Sequence, residues 1–444
     1  MENRNRYELS PCLVKFSVKL TQVSEKLSVP VKNAVKEGKN LEKEFRFFVP
    51  SPYREINQEE ISLSSGPVVS CIKELEEWIS EYYGSFIAPE YRLHLANHGV
   101  AHVLRLCPNY SITSSKFRSF CLFWVIAFIL DDWFDESTSE VINDNSKQIK
   151  KVQYLEMIGK ALEEGLGTSE KDSQDLDDFN KLKKQVLNMS VLKEHPFLLI
   201  MANSWPEIFN QIQDANAEMT LKKFVATFKL DFLQIFEAFR WDFVNKTLGT
   251  LDSYCLDTCR YFKSVEAGLP IFLNIISILE GFELPVVIKS NPIFIQWRYV
   301  CSVLVGILND LLGLQKDLRH GEEDGMIMLK MRKGLSLNNA VDEELKLLRL
   351  WKPFLLQLRK IKETEVSMIL VDPQYSTGFK YNELHCEYVD DYGKLRDSLL
   401  TAFPGKEELL SCIEFAEGWL YGSLYTFKDS VKYGMRDQIH VQHL

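Results

Sequence analysis

The sequence predicts an all-α fold, and two observations support that prediction. Apolar residues recur at helical spacing in segments along the chain; one such segment carries Ile72, Leu75, Trp78, Ile79 and Tyr82. No run alternates apolar and polar residues at period two between hairpin signals, so we expect no sheet. Hydrophobic residues make up 46% of the 444 residues, which is enough for a large helical core.

Residues 1–66 are predicted to be an N-terminal extension that packs on the body of the protein. Pro30, Pro50, Pro52 and Gly66 interrupt any helical pattern in this part. From residue 67 to residue 444 the helical segments follow one another, so we expect a single helical domain there.

The charge balance limits the classes of partner. The chain has 52 Lys and Arg against 62 Asp and Glu, which gives a net charge of −10 at pH 7. An acidic surface argues against nucleic acid or an anionic membrane as the main partner. An anionic substrate would therefore need a local source of positive charge to bind it, such as a metal ion.

The cysteines and the apolar runs indicate a cytoplasmic protein. The nine Cys are odd in number and scattered without a CxxC pair, as expected of free thiols in a reducing compartment. The first ten residues contain no apolar segment, so no secretory signal is predicted. The longest apolar run, residues 120–130, is shorter than the ~20 residues of a membrane span, so we expect no membrane insertion.

An acidic cluster follows directly on that apolar run. It consists of Asp131, Asp132, Asp135 and Glu136, at the C-terminal end of the predicted helix. Asp131 and Asp135 share a helical face, where like charges repel and the helix dipole disfavours anions. Because Mg²⁺ prefers carboxylate and water oxygens, a bound cation would resolve the conflict. An exposed acidic helix end is the alternative, but the apolar segment in front of the cluster predicts a buried helix.

Aromatic residues lie on the same helical stripe. Trp124 and Phe128 precede Asp131 by seven and three residues. Together with Trp419 near the C-terminus, they are candidates for an apolar wall beside the acidic cluster. Packing within the core explains each of the three equally well.

A second oxygen-rich helix face is predicted within residues 299–326. Asn309, Gly313 and Asp317 fall at i, i+4 and i+8, so they form one line along the helix. Asn309 offers a carbonyl oxygen, Asp317 offers a carboxylate, and Gly313 leaves room for water. A polar helix face would explain this pattern as well as a metal site, but two such sites in one chain favour the metal.

Together the two clusters resemble the class I terpene synthase family. Residues 131–136, DDWFDE, match its DDxxD motif, and residues 309–317, NDLLGLQKD, resemble its second metal motif, NDxx(S/T/G)xxxE. Lys316 stands where a basic residue often precedes the acid. Gly313 is the rarer variant and supplies no hydroxyl, and Asp317 replaces the usual Glu with a side chain one methylene shorter.

The resemblance covers about residues 85–435 and implies both fold and activity. The fold would be the class I terpene synthase α-helical bundle around a central apolar cavity, with residues 67–444 as the catalytic domain. The protein would be a terpene cyclase, a carbon–oxygen lyase acting on phosphates, that ionises a prenyl diphosphate, cyclises the carbocation and releases diphosphate. Extended octocoral enzymes look nearest, which favours geranylgeranyl diphosphate over farnesyl diphosphate.

The same resemblance implies a cofactor and an assembly. It predicts Mg²⁺, three ions in number, with Mn²⁺ as a possible substitute. The implied metal ligands are Asp131, Asp135, Asn309, Gly313 (through water) and Asp317. A homodimer is a possible assembly.

Basic residues upstream of the second motif are candidates for diphosphate recognition. Lys263 lies 46 residues before Asn309 and five before Gly268, the position of the family's diphosphate-sensing Arg. Arg260, one turn earlier, could instead supply a bidentate contact; two surface bases are the alternative to both. Residues 267–270, AGLP, would break the helix and turn backbone carbonyls toward the cavity.

Residues 419–434 resemble the closing helix of the family and its terminal Arg-Tyr pair. Here the pair is Lys432 and Tyr433. The resemblance implies that Lys432 contacts diphosphate and that Tyr433 donates a hydrogen bond to it.

Three other functions stay open at this point. A prenyl diphosphate synthase of the same fold would require a second DDxxD motif, and residues 309–317, NDLLGLQKD, do not match that motif. A non-catalytic helical binding protein would have no need of two intact acidic clusters. A metal-dependent phosphohydrolase would leave a linear alcohol rather than a cyclised product.

Overall fold

The structure is a computed structural model whose described residues are mostly helical. They are residues 9–50 except 22 and 37–39, 65–141 except 86 and 108–109, 231–250 except 232–233, 236, 243 and 246–248, 253–348 except 283, and 398–443 except 400, 404–406 and 430–437.

Ten helices are named here in chain order. They are α1 (Val29–Lys36), α2 (Gly66–Tyr83), α3 (Pro89–Leu106), α4 (Ser115–Val141), α5 (Leu256–Glu266), α6 (Leu269–Glu280), α7 (Val286–Lys289), α8 (Pro292–His320), α9 (Met326–Arg332) and α10 (Glu407–Asp429). Residues 337–348 are also helical. The predicted helical class is confirmed for the described part of the chain.

Helix α8 lies at the centre of the core. The Asn291 side chain caps its start by accepting the Ile293 N–H at 2.9 Å, and Gly321 ends it in the left-handed conformation at φ +80. Trp297 is fully buried within it. The helix packs against α5, α6, α9 and α10. Each apolar side chain buried here contributes about 1.5–3 kcal/mol, so α8 is held in place largely by its own apolar surface.

The expectation of no sheet is wrong. The described residues contain a three-stranded antiparallel sheet in the order β2-β1-β3, with β1 at Leu9–Val18, β2 at Leu41–Pro50 and β3 at Ile439–His443. Residue Val14 pairs with Phe45 on one side and Val441 on the other.

The sequence pattern of this sheet is weak for two physical reasons. Strand β1 does alternate, because Cys12, Val14, Phe16 and Val18 are buried, but the apolar Leu13 between them blurs the alternation. No tight hairpin turn joins the strands: α1 lies between β1 and β2, and β3 comes from the other end of the chain. Long-range pairing of this kind has no local signature.

The N-terminal segment contacts the helical body. Strand β1 packs on α8 and helix α1 packs on α9. These contacts agree with an extension that packs on the body, while the division of the chain at residue 66 stays a prediction.

Two described segments have the length and composition of a membrane span. They are Leu256–Glu280 and Pro292–His320, and 61% and 72% of their most apolar windows are buried inside the fold. Core helices of soluble proteins have the same properties, so this is weak evidence of insertion. The eight cysteines within the described ranges are free, and of these only Cys255 is exposed.

Candidate active site

The first acidic motif lies on α4, a helix buried along its first half. Phe117, Cys121 and Val125 have no exposed surface, and Phe120 is 1% exposed. The backbone stays helical to Val141, so the motif does not end the helix as expected, and the predicted penalty from the helix dipole does not apply.

The side chains of this helix are described as far as Ile129. The helical backbone carries Asp131 and Asp135 one turn apart, with Asp132 between them. The side-chain positions of all three lie outside the described part, so their metal-binding roles stay predictions.

Four aromatic side chains form what we call the aromatic cluster: Trp124, Phe128, Phe272 and Trp419. The ring of Trp124 stacks on that of Phe272 with centroids 4.1 Å apart. Trp419 lies 4.1 Å from Phe272 and 4.9 Å from Trp124, and Phe128 lies 5.1 Å from Trp124. The structure thus brings together the three aromatic residues predicted as wall candidates.

Phe272 was not predicted from the sequence as part of the apolar wall. It lies four residues after Gly268, and that spacing on a new helix could have indicated it. An apolar recess beside the aromatic cluster is lined in part by Phe120, Phe272, Phe415 and Trp419. The candidate wall therefore comes from α4, α6 and α10.

His102 lies at the edge of the aromatic cluster, with its ring centroid 4.0 Å from that of Trp124. Its Nδ1 lies 2.6 Å from Thr426 Oγ1, whose own hydrogen is donated to the Gly422 carbonyl at 2.8 Å. Thr426 therefore accepts, and Nδ1 carries the proton of the imidazole.

The other nitrogen of His102, Nε2, has no hydrogen-bond partner among the described residues. Burial, with smaller contributions from His98 and Arg105, holds the pKa of His102 well below its usual value. The ring is therefore neutral, in keeping with its aromatic surroundings. His94, His98 and His102 recur at intervals of four residues, and this helical spacing could have indicated His102 as a candidate residue.

The predicted helix break is present between α5 and α6. Gly268 adopts φ +73, a left-handed conformation that favours glycine, and Pro270 follows in the first turn of α6. A Cβ atom at Gly268 would lie 3.1 Å from the Phe272 ring. The break therefore also allows the close approach of the aromatic cluster; a role of Gly268 in substrate binding stays a prediction.

The three residues of the second motif lie along α8 in different environments. Asn309 is exposed, Gly313 is buried and Asp317 is half-buried. Burial raises the pKa of Asp317 well above its usual range; Lys316 opposes the shift, and the nearby carboxylates add to it. Lys316 itself forms an ion pair with Glu322 at 2.8 Å.

Asp310 belongs to the same site and was missed because it lies directly beside Asn309 in sequence. It shares a helical face with Asp317, seven residues later, and it accepts the Met326 N–H at 3.0 Å. Burial, followed by the charge of Glu344, raises the pKa of Asp310 to about 7. A Cβ atom at Gly325 would lie 3.0 Å from Asp310 Oδ1 and 3.5 Å from Asp317 Oδ2.

Lys263 lies among carboxylates, and we call this group the charged cluster: Asp242, Lys263, Glu266 and Asp324. The Lys263 ammonium is 2.8 Å from Glu266, 2.9 Å from Asp324 and 3.7 Å from Asp242. Burial works to lower the pKa of Lys263, but the three carboxylates outweigh it and raise the pKa well above its usual value. Lys263 is therefore a permanent cation in this site.

Arg260 has a different partner although it lies one turn away. Its guanidinium donates two hydrogen bonds to Glu344, at 3.0 and 2.8 Å, and Glu344 has no exposed surface. Lys330 pairs with the same carboxylate at 3.0 Å. Glu344 and Lys330 were not predicted, because nothing local to residue 344 marks it as a buried partner.

The residues on α8 suit a hard divalent cation. The amide of Asn309 and the carboxylate of Asp317 are oxygen donors of the kind Mg²⁺ takes. Burial, with nearby carboxylates adding to it, raises the pKa of Asp317, and a bound cation would oppose that shift. No group of three His, Cys, Asp or Glu within the described ranges is arranged around a single point as a metal site. Lys432 and Tyr433 lie outside the described residues.

Comparison with known proteins identifies a family. The sequence model described as "Terpene synthase family 2, C-terminal metal binding" matches residues 123–350, just over half of the chain and including both acidic motifs.

Two fungal relatives are similar in sequence. A sesquiterpene cyclase (hepA) of Aspergillus oryzae is 23% identical over 272 residues, 60% of this chain and 67% of the relative. A (1R,4R,5S)-(-)-guaia-6,10(14)-diene synthase of Fusarium proliferatum is 33% identical over 63 residues, which is 14% of this chain and only 16% of that enzyme. These relatives are fungal, and the resemblance to octocoral enzymes stays a prediction.

Solved structures agree with the fold. An a-eudesmol synthase superposes with a TM-score of 0.52 at 14% identity, over 82% of this chain and 96% of that one. The ancestrally reconstructed protein SVS_A2 gives 0.53 at 15% identity, over 82% and 86%. The chain has the class I terpene synthase fold and belongs to terpene synthase family 2.

Proposed function

We propose that this protein is a metal-dependent terpene cyclase, which ionises a prenyl diphosphate, cyclises the carbocation and releases diphosphate. The observation that carries the proposal is the junction at Gly268. On one side of it α5 presents Lys263 among carboxylates, and on the other α6 presents Phe272 to the aromatic cluster. A prenyl diphosphate would need both environments side by side: the charged one for the departing diphosphate and the aromatic one for the apolar chain that becomes a carbocation.

The charged side would act on the diphosphate. Bound Mg²⁺, three ions by resemblance and replaceable by Mn²⁺, would supply charge neutralisation for the departing group. Asp131 and Asp135 on α4, with Asn309 and Asp317 on α8, would hold the metal. Lys263 would add a fixed positive charge at the same site, since its pKa keeps it protonated.

The aromatic cluster would act on the hydrocarbon. The faces of Trp124, Phe272 and Trp419 carry negative electrostatic potential and attract a carbocation. Their close packing keeps water out, which prevents premature quenching. We propose that the aromatic cluster also sets the conformation in which the hydrocarbon chain cyclises. Lys432 and Tyr433 are proposed as further diphosphate contacts.

The chain length of the substrate has two candidates. The sequence resemblance favoured geranylgeranyl diphosphate, with 20 carbons, whereas the Aspergillus relative is named a sesquiterpene cyclase and so makes a 15-carbon skeleton. Farnesyl diphosphate is therefore the first substrate to test and geranylgeranyl diphosphate the second.

The test is a product assay with purified full-length protein, Mg²⁺ and each prenyl diphosphate, analysed by gas chromatography. A cyclic hydrocarbon or alcohol that disappears with EDTA supports the proposal. A longer prenyl diphosphate, formed only when isopentenyl diphosphate is added, would indicate a prenyl diphosphate synthase. A linear alcohol alone would indicate a phosphohydrolase, and no turnover of any substrate would favour a non-catalytic helical binding protein.

A further inference from the structure

The C-terminal end of α8 is covered by a segment from the other end of the chain. We call residues 19–28, except 22, the clasp; they follow β1 directly and lead into α1. The clasp contacts α8 within one turn of Asp317 and also contacts the loop 321–325 that follows the helix.

The first contact is between the clasp and Gln315, two residues before Asp317. Gln315 is fully buried. Its Oε1 accepts the Lys19 N–H at 2.6 Å, and its Nε2 donates to the Lys19 carbonyl at 3.2 Å. The side-chain amide thus pairs with both backbone groups of Lys19 and joins the clasp to α8 at this point.

The second contact is at the helix end. Ser24 N–H donates to the Leu318 carbonyl at 2.7 Å and satisfies one of the carbonyls that a helix leaves open at its C-terminus. A Cβ atom at Gly321 would lie 2.9 Å from Lys26 Cβ and 3.0 Å from Ser24 Oγ. The clasp therefore lies directly against the turn that ends α8.

The third contact is with the loop 321–325. Ser28 N–H donates to Glu323 Oε1, and Arg332 holds the other Glu323 oxygen at 3.7 Å. Asp324, the next residue, is the carboxylate that pairs with Lys263. The clasp is thus linked to the charged cluster through one short loop.

The three-stranded sheet anchors the N-terminal end of the clasp. Val14 and Val18 of β1 are fully buried, and β1 is paired on both sides, by β2 and β3. The clasp begins at the residue after Val18, so its position relative to α8 is set by a buried, hydrogen-bonded strand.

We infer that the clasp is a positioning element of the second metal motif, with Gln315 as its principal positioning residue. It sets the rotation of α8 and the path of loop 321–325, so that the side chains of Asp317 and Asp324 meet the metal–diphosphate group. This inference rests on the proposed function.

The size of the effect follows from helix geometry. A rotation of about 10° moves an atom on the helix surface, about 5–6 Å from the axis, by about 1 Å. A displacement of that size at a catalytic group costs on the order of 10²-fold in rate, and loss of a group that orients a metal ligand typically lowers metal affinity about 10- to 100-fold.

The test compares Gln315→Met with Gln315→Glu in the full-length protein. Methionine keeps the length and removes both hydrogen bonds; glutamate keeps the acceptor for Lys19 N–H and removes the donor. Ile79→Ala is the matched control, because Ile79 is fully buried in α2, which packs mainly on α3 and forms no part of the clasp or of α8. The readout is the rise in melting temperature as Mg²⁺ is titrated in at fixed inorganic pyrophosphate.

We expect Gln315→Met to raise the Mg²⁺ concentration for half-maximal stabilisation by about tenfold, with Gln315→Glu in between. Ile79→Ala should lower the melting temperature itself and leave that Mg²⁺ concentration within about twofold of wild type. Equal Mg²⁺ dependence in Gln315→Met and wild type would overturn the inference, as would an equal shift in Ile79→Ala or a wild type that Mg²⁺ and pyrophosphate do not stabilise.

The product assay fails or succeeds separately from this titration. If the order of Mg²⁺ dependence holds and no cyclic product forms, the cyclase proposal fails and the positioning role stands. If cyclic product forms and the variants bind Mg²⁺ alike, the positioning role fails.

Discussion

The aromatic cluster and the charged cluster lie on opposite sides of one helix break, and they differ in polarity and in charge. In the aromatic cluster, stacked rings lie beside a neutral His102, and Trp124 and Trp419 are 6% and 4% exposed. In the charged cluster and beside it on α8, carboxylates outnumber cations, and the pKa values of Asp310 and Asp317 are raised. One region excludes water, whereas the other is short of positive charge.

Under the proposed function, this difference assigns a separate chemical role to each region. A water-poor aromatic region suits a carbocation, because water would quench it. A carboxylate-rich region suits metal ions and, through them, diphosphate. Substitutions confined to one region at a time should therefore separate the two roles.

The largest effect is expected at the first acidic motif. Asp131→Asn or Asp135→Asn should each lower the rate of product formation by about 10²–10³-fold, because each removes a charge that would hold the metal. The rate is measured by gas chromatography at saturating Mg²⁺. Asp178→Asn, in the polar, acidic sequence 167–180 outside both motifs, is the control and should retain full activity; full activity in Asp135→Asn would contradict its assignment as a metal ligand.

The next largest effect separates Lys263 from Arg260. Lys263→Ala should lower kcat/KM by about 10²-fold, since it removes a charge-assisted contact with diphosphate. Lys263→Arg should restore most of it, because arginine carries the same charge. A Lys263→Ala variant as active as wild type would exclude α5 as the source of the diphosphate contact.

Arg260 is expected to act on stability more than on catalysis. Its removal leaves Glu344 buried with Lys330 as the remaining cation, and breaking a buried pair costs about 3–5 kcal/mol. Arg260→Leu should therefore lower the free energy of unfolding by that amount in urea titrations, with a smaller loss of kcat/KM than Lys263→Ala. If instead Arg260→Leu unfolds like wild type but loses kcat/KM, the bidentate diphosphate contact belongs to Arg260.

The smallest effect concerns His102 and pH. Because burial depresses its pKa in the folded state, the unfolded chain binds the proton more readily below about pH 6.5. Stability should therefore be full above that pH and fall as the pH drops below it, with a limiting slope of about 1.4 kcal/mol per pH unit. His102→Phe should flatten this slope in urea titrations at pH 5–7, and the exposed His440→Phe should not; identical slopes in both variants would show that other groups cause the acid sensitivity.

Much of this site could be predicted from local patterns. The acidic motifs, the break at Gly268 and the aromatic positions Trp124 and Trp419 each have a signature within a few residues. The sheet and the ion pair of Arg260 with Glu344 could not be predicted, because each joins segments far apart in sequence. Asp310 lies within the second motif, but its burial and the hydrogen bond that it accepts from the Met326 N–H are revealed only by the fold.

The central claim is that the motifs on α4 and α8 act on one diphosphate site. The most direct measurement is the affinity for inorganic pyrophosphate in the presence of Mg²⁺, by calorimetry, for wild type, Asp135→Asn, Asp317→Asn and the double variant. If both motifs hold metal around one diphosphate, the double variant should lose less than the sum of the single losses, with a coupling free energy of about 0.5–3 kcal/mol. Losses that add to within about 0.5 kcal/mol would contradict the claim and place the two motifs at separate sites.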